Sequence, residues 1–578
     1  MTGIKTLFAA AVACFSVVVF AQVPPAPPRA GDILQQQAPK QELPVSPSTA
    51  PVLPQVTPPK PALPAGTKVN VAVKDFRFSG NTVFSSAELR GLVQEFIGKT
   101  LDFNGLNDAA GRVQRHYRER GYFLAVAYLP QQEIKDGIVE IAVLEGRLGQ
   151  INLQVDPKTK LKESFARSIL AAHLKPGDLI TENSLERPLL LLRDLPNMEV
   201  TSELGPSKSQ VGAADLTVKI SENTKHFDGY VDADNHGNRF SGEYRLGINL
   251  NAGDLTGYGD LLSFRGFITD ESMKFGRLSY VIPLGPYGTR VGASATGFQY
   301  RLGKAEFEAG GFNGEGQVYT VYALHPILRT RNANLFVQGA AERKDLEDRI
   351  DSVVNGTTDQ TITNGKLGVV GDFRDRLMSG GLNSYSATVT AGKVEIQPDT
   401  ALAFDQAAGT GPQINGHFSK LNFEFRRLQR LSDQFNLLFA YTAQGANKNL
   451  AAAEKMALGG PQGVRAYPVG EAPGDVGQLG TLELRYIVPK LQVFGGDLTL
   501  STFVDHGQVK TLKDPPPSTA VASQNKRSIT GAGVGISLGR EGNFLFRMDI
   551  ATPLDNETPT SDGAKRDPRV WVQAIKWF

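Results

Sequence analysis

Apolar and polar residues alternate through the C-terminal part of the chain, and this alternation restricts the folds that the chain can adopt. Residues 420–426 read Lys-Leu-Asn-Phe-Glu-Phe-Arg, and segments 482–486 and 544–550 repeat the pattern. A period of two is that of a β-strand, whose successive side chains point to opposite faces. A single such strand suits a soluble sandwich or a membrane barrel equally well, because both bury one face.

The lengths of the connections distinguish these two folds. About sixteen strands fit between residue 225 and the end of the chain, an even number as in single-chain outer-membrane barrels. Their connections alternate between short segments (285–288, 329–332, 430–433, 540–542) and long ones (343–361, 397–416, 447–477, 511–527, 555–567). Short periplasmic turns and long external loops are typical of such barrels. The sequence therefore predicts a 16-stranded antiparallel transmembrane β-barrel over residues 223–578, with both termini in the periplasm.

The last ten residues read Arg-Val-Trp-Val-Gln-Ala-Ile-Lys-Trp-Phe. Trp577 and the terminal Phe578 are similar to the C-terminal signal of bacterial outer-membrane barrels, although Lys576 stands where that signal usually carries an aromatic residue. This similarity implies insertion by the barrel-assembly machinery.

The N-terminus carries an export signal. Lys5 is followed by an apolar segment, 7–20, and by Val-Phe-Ala at 19–21, which predicts a signal peptide over residues 1–21. A lipoprotein signal ending at Cys14 is the alternative, and it would leave a very short apolar core. Beyond the signal we find no second apolar run of about eighteen residues, the length that a membrane-spanning helix requires.

Residues 22–70 are rich in proline and glutamine and predict an extended linker. Within it, segment 31–38 (Gly-Asp-Ile-Leu-Gln-Gln-Gln-Ala) precedes a proline. Two interpretations are open for this segment: a polar part of the linker, or a short helix that plugs the barrel.

Two small α+β modules are predicted between the linker and the barrel. The first, 71–146, has the order strand, helix, helix, strand, strand; its first helix begins at Ser85, with Glu88 three residues later as in a capping box. Its second helix, 106–120, has one apolar face, and strands follow at 122–129 and 138–144. The same order recurs in the second module, 147–222.

The composition excludes several functions. A formal charge of +2, from 61 basic and 59 acidic residues, gives no reason to expect nucleic acid as a partner. The sequence shows no glycine-rich phosphate loop, no clustered metal ligands and no nucleophile beside a base. We therefore predict no catalytic residue, no metal and no cofactor, and a binding or conducting role rather than an enzyme.

One loop stands out among the long connections. Segment 459–470 combines glycines and prolines with Arg465 and Tyr467, and it joins the eleventh and twelfth strands, which makes it the sixth external loop. On the thirteenth strand, Leu498, Leu500 and Val504 occupy even-numbered positions and share one face. Asp505 occupies an odd-numbered position and lies on the opposite face. Asp505 should therefore face the barrel lumen.

The sixth loop contains Val464-Arg465-Ala466-Tyr467, which resembles the Val-Arg-Gly-Tyr motif of the TpsB transporters of two-partner secretion. Ala466 stands where the family has glycine, which restricts the backbone at that position.

Two further segments resemble motifs of the same family. Phe503, Asp505 and Gly507 match its Phe-x-Asp-x-Gly motif, and segment 325–331, His-Pro-Ile-Leu-Arg-Thr-Arg, is similar to its Tyr-Pro-x-x-Arg-x-Arg segment. The resemblance covers nearly the whole mature chain.

The resemblance implies that the two modules are POTRA domains in the periplasm of a Gram-negative bacterium. It implies an outer-membrane pore, surrounded by outer-membrane lipid, that recognises a large, unfolded, TpsA-like exoprotein and secretes it. It also implies that the sixth loop folds into the lumen, where Arg465 pairs with Asp505. The alternative is that each charge meets lumen water.

Three other functions compete with secretion for this architecture. A barrel-assembly insertase of the same superfamily usually has more POTRA modules. A passive porin needs no periplasmic modules, and a barrel phospholipase needs a nucleophile and a base, for which the sequence shows no pattern.

Overall fold

The computed structural model describes residues 27–37, 70–208, 210, 212–222, 227–517, 525–563 and 566–578. The predicted signal peptide and most of the predicted linker lie outside these residues. Among the residues described, no helix is both long and apolar enough to cross a membrane.

The first element described is a short helix, α1, Ala30–Gln37, near the predicted segment 31–38. Ala30 and Ile33 are fully buried, and Leu34 is nearly so. They pack in the upper lumen among aromatic and aliphatic side chains of the barrel strands and external loops, including Phe240 and Phe298. The helix is therefore docked inside the barrel.

The first module follows the predicted order of elements. Its elements are β1 Val71–Ala72, β2 Asp75–Ser79, α2 Ser86–Leu92, β3 Thr100–Leu101, α3 Phe103–Glu119, β4 Val126–Tyr128 and β5 Ile138–Leu144. The sheet order is β2-β5-β4, and β2 and β5 are parallel. The Ser85 hydroxyl accepts a hydrogen bond from the Glu88 N–H at 3.2 Å and so caps α2. The strand predicted at 122–129 is shorter than expected, because a turn precedes Val126.

The centre of the first module is a buried carboxylate. Glu145, which follows β5, accepts hydrogen bonds from the Thr82 N–H (2.6 Å), the Val83 N–H (2.8 Å) and the Tyr117 hydroxyl (2.9 Å). Burial alone would raise the pKa of the Glu145 carboxyl, but these donors stabilise the carboxylate more strongly, so the pKa is lowered.

We expect Glu145→Gln to lower the stability of the first module by about 2 kcal/mol, because buried donors lose a charged acceptor. Because the folded pKa is lowered, the carboxylate stabilises the module above the ordinary value of 4.5, and this contribution is lost as the pH falls below it. Urea unfolding of the full chain, followed by the helical circular-dichroism signal at pH 7 and pH 4, measures both effects. Glu133→Gln, at an 86% exposed side chain, is the matched control. An unchanged midpoint at pH 7 in Glu145→Gln would contradict the prediction.

The second module repeats the order of the first. Its elements are β6 Arg147–Val155, α4 Glu163–His173, α5 Glu182–Arg193, β7 Met198–Pro206 and β8 Ala213–Glu222. The sheet order is β6-β8-β7, with β6 and β8 parallel. Leucines of α5, including Leu185 and Leu189, are buried against the sheet and α4.

The remainder of the described chain forms a closed barrel of sixteen strands, as the sequence predicts. The barrel strands are β9 Phe227–Asp234, β10 Arg245–Gly253, β11 Leu261–Thr269, β12 Lys274–Leu284, β13 Thr289–Arg301, β14 Phe312–Arg329, β15 Ala333–Ile350, β16 Thr357–Asp375, β17 Gly381–Gln397, β18 Gly416–Arg430, β19 Phe435–Ala446, β22 Val476–Val493, β23 Gly496–Lys510, β24 Lys526–Arg540, β25 Phe544–Pro553 and β26 Arg569–Trp577. Two short strands, β20 Met456–Ala457 and β21 Pro473–Gly474, pair within the loop between β19 and β22. Helices α6 Ala305–Glu308 and α7 Asp399–Asp405 lie in external loops.

The prediction of a long loop over residues 343–361 is wrong. β15 continues to Ile350 and β16 begins at Thr357, so only residues 351–356 connect them. Arg343 and Asp345 are charged, and charged residues are typical of loops. In the structure they form an ion pair on the exposed face of the sheet. Backbone hydrogen bonds pair the strands whatever side chains they carry. The paired strands therefore continue beyond the lipid, where charged side chains are allowed.

The second module docks on the periplasmic end of the barrel. Asp194 accepts two hydrogen bonds from the Arg329 guanidinium, at 2.8 and 2.6 Å. Glu186 on α5 accepts hydrogen bonds from the Arg331 N–H at 3.0 Å and from its Nε at 2.5 Å. Both arginines belong to the motif-like segment 325–331, so this segment joins the module to the barrel.

Candidate functional site

The sixth loop, residues 447–475, folds into the lumen rather than away from the barrel. Leu458, Val464 and Tyr467 are fully buried and form one apolar cluster with inward side chains of the barrel wall, among them Phe503 and Ile529. Gly460 has a φ of 110°, which favours glycine. The glycine-rich composition therefore gives a compact tip.

The structure brings Arg465 and Asp505 together. The Arg465 guanidinium donates through Nε to Oδ2 at 2.8 Å and through Nη2 to Oδ1 at 2.9 Å, a bidentate arrangement. The Arg465 N–H and the Thr481 hydroxyl also donate to this carboxylate. Asp505 is fully buried and Arg465 is 2% exposed, so neither charge meets bulk water.

Glu483 is a second partner of Arg465 that the sequence reasoning missed. It lies on β22, and its Oε2 accepts a hydrogen bond from Arg465 Nη1 at 2.7 Å. Arg485 donates to the other oxygen of Glu483 at 2.7 Å, and Arg547 donates to Asp549 at 2.9 Å. Three arginines thus meet three carboxylates, and this balance offsets much of the cost of burying the charges.

Aromatic side chains complete the Arg465 site. The Arg465 Cζ atom lies 3.2 Å from the centroid of the Phe503 ring, a cation–π contact between two buried side chains. The Trp571 indole N–H donates to the Arg465 carbonyl at 2.7 Å. Trp571 was not among the predicted site residues. Its inward parity on the last strand is the signal that could have identified it.

The other residues of the loop motif have separate contacts. The Val464 N–H donates to the Leu458 carbonyl at 2.7 Å and closes the loop tip. The Tyr467 hydroxyl donates to Asp555 in the eighth external loop. Burial and this carboxylate raise the pKa of Tyr467, so the hydroxyl stays protonated and remains a donor.

Ala466, where the family motif has glycine, is accommodated without strain. It has no left-handed φ, and it is 1% exposed. A Cβ added to Gly531 on β24 would lie 2.5 Å from the Ala466 Cβ, and a Cβ added to Gly507 would lie 2.8 Å from Leu458. The wall glycines therefore provide the space that the loop side chains fill.

Three further acidic residues hold the sixth loop, and the sequence reasoning missed all of them. Glu454 accepts hydrogen bonds from Lys344 at 2.7 Å and Asn364 at 3.1 Å, and it pairs with Lys420 at 2.8 Å. Glu471 accepts from the Thr560 and Ser561 N–H groups, and Asp475 from those of Leu450 and Lys513. The loop is thus tied to the strands and to the neighbouring loops.

The C-terminal residues lie at the seam of the barrel. Trp577 pairs with Tyr230, and the Phe578 N–H donates to the Gly229 carbonyl at 3.0 Å. The register between β26 and β9 runs only from Gln573 to Trp577.

No other chemistry is apparent at this site. Within the described part of the chain, no group of three or more histidine, cysteine or acidic side chains is arranged to hold a metal ion. The arrangement can hold a loop in place, and it can release that loop only when charges separate.

Comparison with known proteins assigns the chain to a family. A model for the POTRA domain of the ShlB type matches residues 71–146. The chain is 29% identical over 493 residues to the heme/hemopexin transporter protein HuxB of Haemophilus influenzae strain 86-028NP, covering 85% of this chain and 84% of that protein.

Solved structures share the fold. CdiB from Escherichia coli superposes with a TM-score of 0.67 at 20% identity, covering 90% of this chain and 94% of that one. BamA from Haemophilus ducreyi lacking POTRA domains 1-3 superposes with a TM-score of 0.52 at 14% identity, covering 88% and 100%.

A model for the haemolysin secretion/activation protein ShlB/FhaC/HecB matches residues 212–538, which is more than half of the 578 residues. The resemblance to TpsB transporters is thereby confirmed, and the chain belongs to the ShlB/FhaC/HecB family of haemolysin secretion/activation proteins.

Proposed function

We propose that this protein is an outer-membrane translocation pore, which captures a large unfolded exoprotein through its two periplasmic modules and secretes it through the barrel. The observation that carries the proposal is the docking of the second module on the periplasmic end of a closed barrel, through Asp194–Arg329 and Glu186–Arg331. A captured segment is thus held beside the pore entrance.

Free sheet edges support a capture role for the modules. In the described residues, β7 is an edge strand that pairs with β8 alone, and in the first module β2 and β4 are both edges. An extended client segment can add to such an edge by backbone hydrogen bonds, without a fixed client sequence. An unfolded chain offers such segments, whereas a folded one does not.

Passage of a client requires α1 to leave the lumen while the sixth loop stays anchored. Helix α1 and the sixth loop together occupy the lumen, and Gly31 lies against Ala452 and Ala453 of the loop. We propose that α1 is a plug and that the Arg465–Asp505 pair holds the loop in the secretion-competent arrangement. The residues of the site are then positioning residues, with no catalytic role.

The proposal is tested by removing the capture apparatus. The exoprotein is identified as the protein that disappears from the medium of a strain lacking this gene. Deleting residues 71–220 should abolish both its co-purification with the barrel and its appearance in the medium. The remaining barrel should still migrate as a folded, heat-modifiable band. Co-purification that survives the deletion would contradict the role of the modules, and secretion that continues in a strain lacking the whole gene would contradict the function.

A further inference from the structure

A row of phenylalanine side chains crosses the wall of the barrel near the external ends of neighbouring strands. Phe267 on β11 is the register partner of Phe275 on β12, and Phe275 is the partner of Phe298 on β13. The row continues through Gly316 on β14 to Leu346 on β15. We refer to Phe267, Phe275, Phe298 and Leu346 as the aromatic ledge. Cross-strand partners of this kind lie side by side on one face of the sheet.

The side chains of the aromatic ledge pack against one another. The Phe267 and Phe275 rings are stacked, with their centroids 4.8 Å apart and an interplanar angle of 13°. A Cβ added to Gly316 would lie 2.4 Å from the Phe298 ring and 2.9 Å from the Leu346 side chain. The glycine thus provides the space that these two side chains occupy. The ledge is therefore one apolar surface rather than a set of separate residues.

The aromatic ledge differs in chemistry from the wall below it. Leu278 and Tyr319, at positions of the opposite parity, are each 50% exposed on the lipid face, so the ledge faces the lumen. Four residues closer to the periplasm, on the same face of β11 to β14, the row of register partners consists of the hydroxyl side chains Ser263, Ser279, Ser294 and Thr320. A chain that enters from the periplasm therefore meets hydroxyl groups on this wall before it reaches the apolar surface near the external end.

Helix α1 covers the aromatic ledge in the structure. Ile33 is fully buried and Leu34 is 8% exposed, and both belong to the same apolar cluster as the ledge. The wall also binds the start of the helix, since Asp348 accepts a hydrogen bond from the Ala30 N–H at 2.7 Å. The structure thus shows which kind of segment fits this surface: a short peptide that places aliphatic side chains on the ledge and keeps its polar groups at the edge.

Departure of α1 leaves the aromatic ledge facing an aqueous lumen. Apolar surface that returns to water raises the free energy in proportion to its area, so the vacated ledge favours any apolar group that can cover it again. During secretion the lumen holds an unfolded exoprotein. An extended chain points alternate side chains to the same side, so such a segment can lay several apolar side chains on the ledge at once.

We propose that the aromatic ledge is a client-binding site inside the pore, which binds extended segments of the exoprotein with aliphatic or aromatic side chains at alternate positions once α1 has left. This inference rests on the secretion function proposed above, and it adds a site in the lumen to the capture sites of the modules. Because the ledge lies near the external ends of its strands, a segment bound there is held back from returning to the periplasm. The ledge therefore favours export over backward movement.

The first test measures how long peptides reside in the pore of the variant that lacks residues 30–37, reconstituted in planar bilayers. Two synthetic peptides of equal length and charge are compared, one alternating leucine with serine and the other alternating threonine with serine. The leucine peptide should block the current for about tenfold longer, because its apolar side chains are buried on the ledge. F275S/F298S should reduce this ratio to about one. The control Y322S removes an aromatic side chain of β14 that lies outside the ledge, and it should leave the ratio unchanged.

The second test identifies the occupant of the ledge in secreting cells. A photo-crosslinker at position 275 of the full chain should label the exoprotein. The matched control is position 264 on β11, where Phe264 is 39% exposed on the lipid face, and a crosslinker there should not label the exoprotein.

The two tests can each overturn the proposal. Equal residence times of the two peptides, or a ratio that F275S/F298S does not change, would show that the ledge does not bind apolar chains. Labelling of α1 alone at position 275 during secretion would make the ledge only the seat of the plug. Secretion that continues without the gene would refute the proposed function, whereas the peptide ratio would still report on the ledge. The single variant F275S, checked for heat-modifiable migration, should lower the ratio and replaces the double variant if that variant does not fold.

Discussion

Replacing Arg465 with alanine should reduce secretion of the exoprotein by about tenfold or more while the barrel remains inserted in the outer membrane. The substitution leaves the fully buried Asp505 carboxylate and the 3% exposed Glu483 without their shared cation. Removing one partner of a buried ion pair costs about 3 to 5 kcal/mol, and about 1.4 kcal/mol changes an equilibrium tenfold. The sixth loop should therefore leave its anchored position most of the time.

The matched control is Arg343→Ala, because Arg343 also makes a bidentate pair, with Asp345, at 2.9 and 2.9 Å. That pair is on the exposed face, with side chains 59% and 37% exposed, so its loss should leave secretion unchanged. Asp505→Asn, which keeps the shape of the side chain but removes its charge, should resemble Arg465→Ala. Immunoblots of the medium measure the secreted exoprotein, and immunoblots of the outer membrane measure the amount of each transporter variant. Normal secretion from either site variant would refute the anchor role.

The architecture of the barrel was accessible from the sequence because it depends on local rules. Strand parity predicts that Asp505 faces the lumen, and the order of the turns predicts that the loop of Arg465 joins the eleventh and twelfth strands. The structure has both arrangements. The alternation of apolar and polar residues and the lengths of the turns are properties of a few consecutive residues. They can therefore be recognised without knowing the tertiary structure.

The sequence does not predict which side chains contact one another within the lumen. Glu483 and Trp571 are inward side chains of the wall and Glu454 lies in the sixth loop, but which group each one meets depends on the path of that loop through the lumen. The register between strands sets these distances, and a one-residue change would move every side chain to the other face. The wrong prediction of a loop over residues 343–361 has a related cause. A strand that extends beyond the lipid can carry charged residues, and its sequence then resembles that of a loop.

Helix α1 shows how this limit applies to function. The sequence left segment 31–38 open between a polar linker and a docked helix, because eight residues with three glutamines carry little apolar pattern. In the structure, the Ala30 N–H donates to Asp348 Oδ1 at 2.7 Å, and the Tyr300 hydroxyl donates to the same atom at 2.6 Å. At its other end, Arg245 donates to the Gln37 side chain at 3.0 Å. Both ends of the helix are thus held by residues of the wall.

Deleting residues 30–37 should raise the single-channel conductance of the purified protein in planar bilayers several-fold. A barrel of sixteen strands is wide enough for an aqueous channel, and the deletion removes an obstacle from its upper lumen. Ile33→Asp should give a smaller increase in the same direction, because the fully buried Ile33 would be replaced by a charge in an apolar pocket.

Two controls separate the plug from the linker that carries it. Deleting residues 46–53 shortens the same linker by eight residues and should leave the conductance unchanged. Gln35→Ala, at a partly exposed position of the helix, should also have little effect. Conductance that is identical in the unaltered protein and in the 30–37 deletion would show that α1 does not close the channel. In that case the sixth loop, held by Arg465 and Glu454, would be the part of the lumen that limits the conductance.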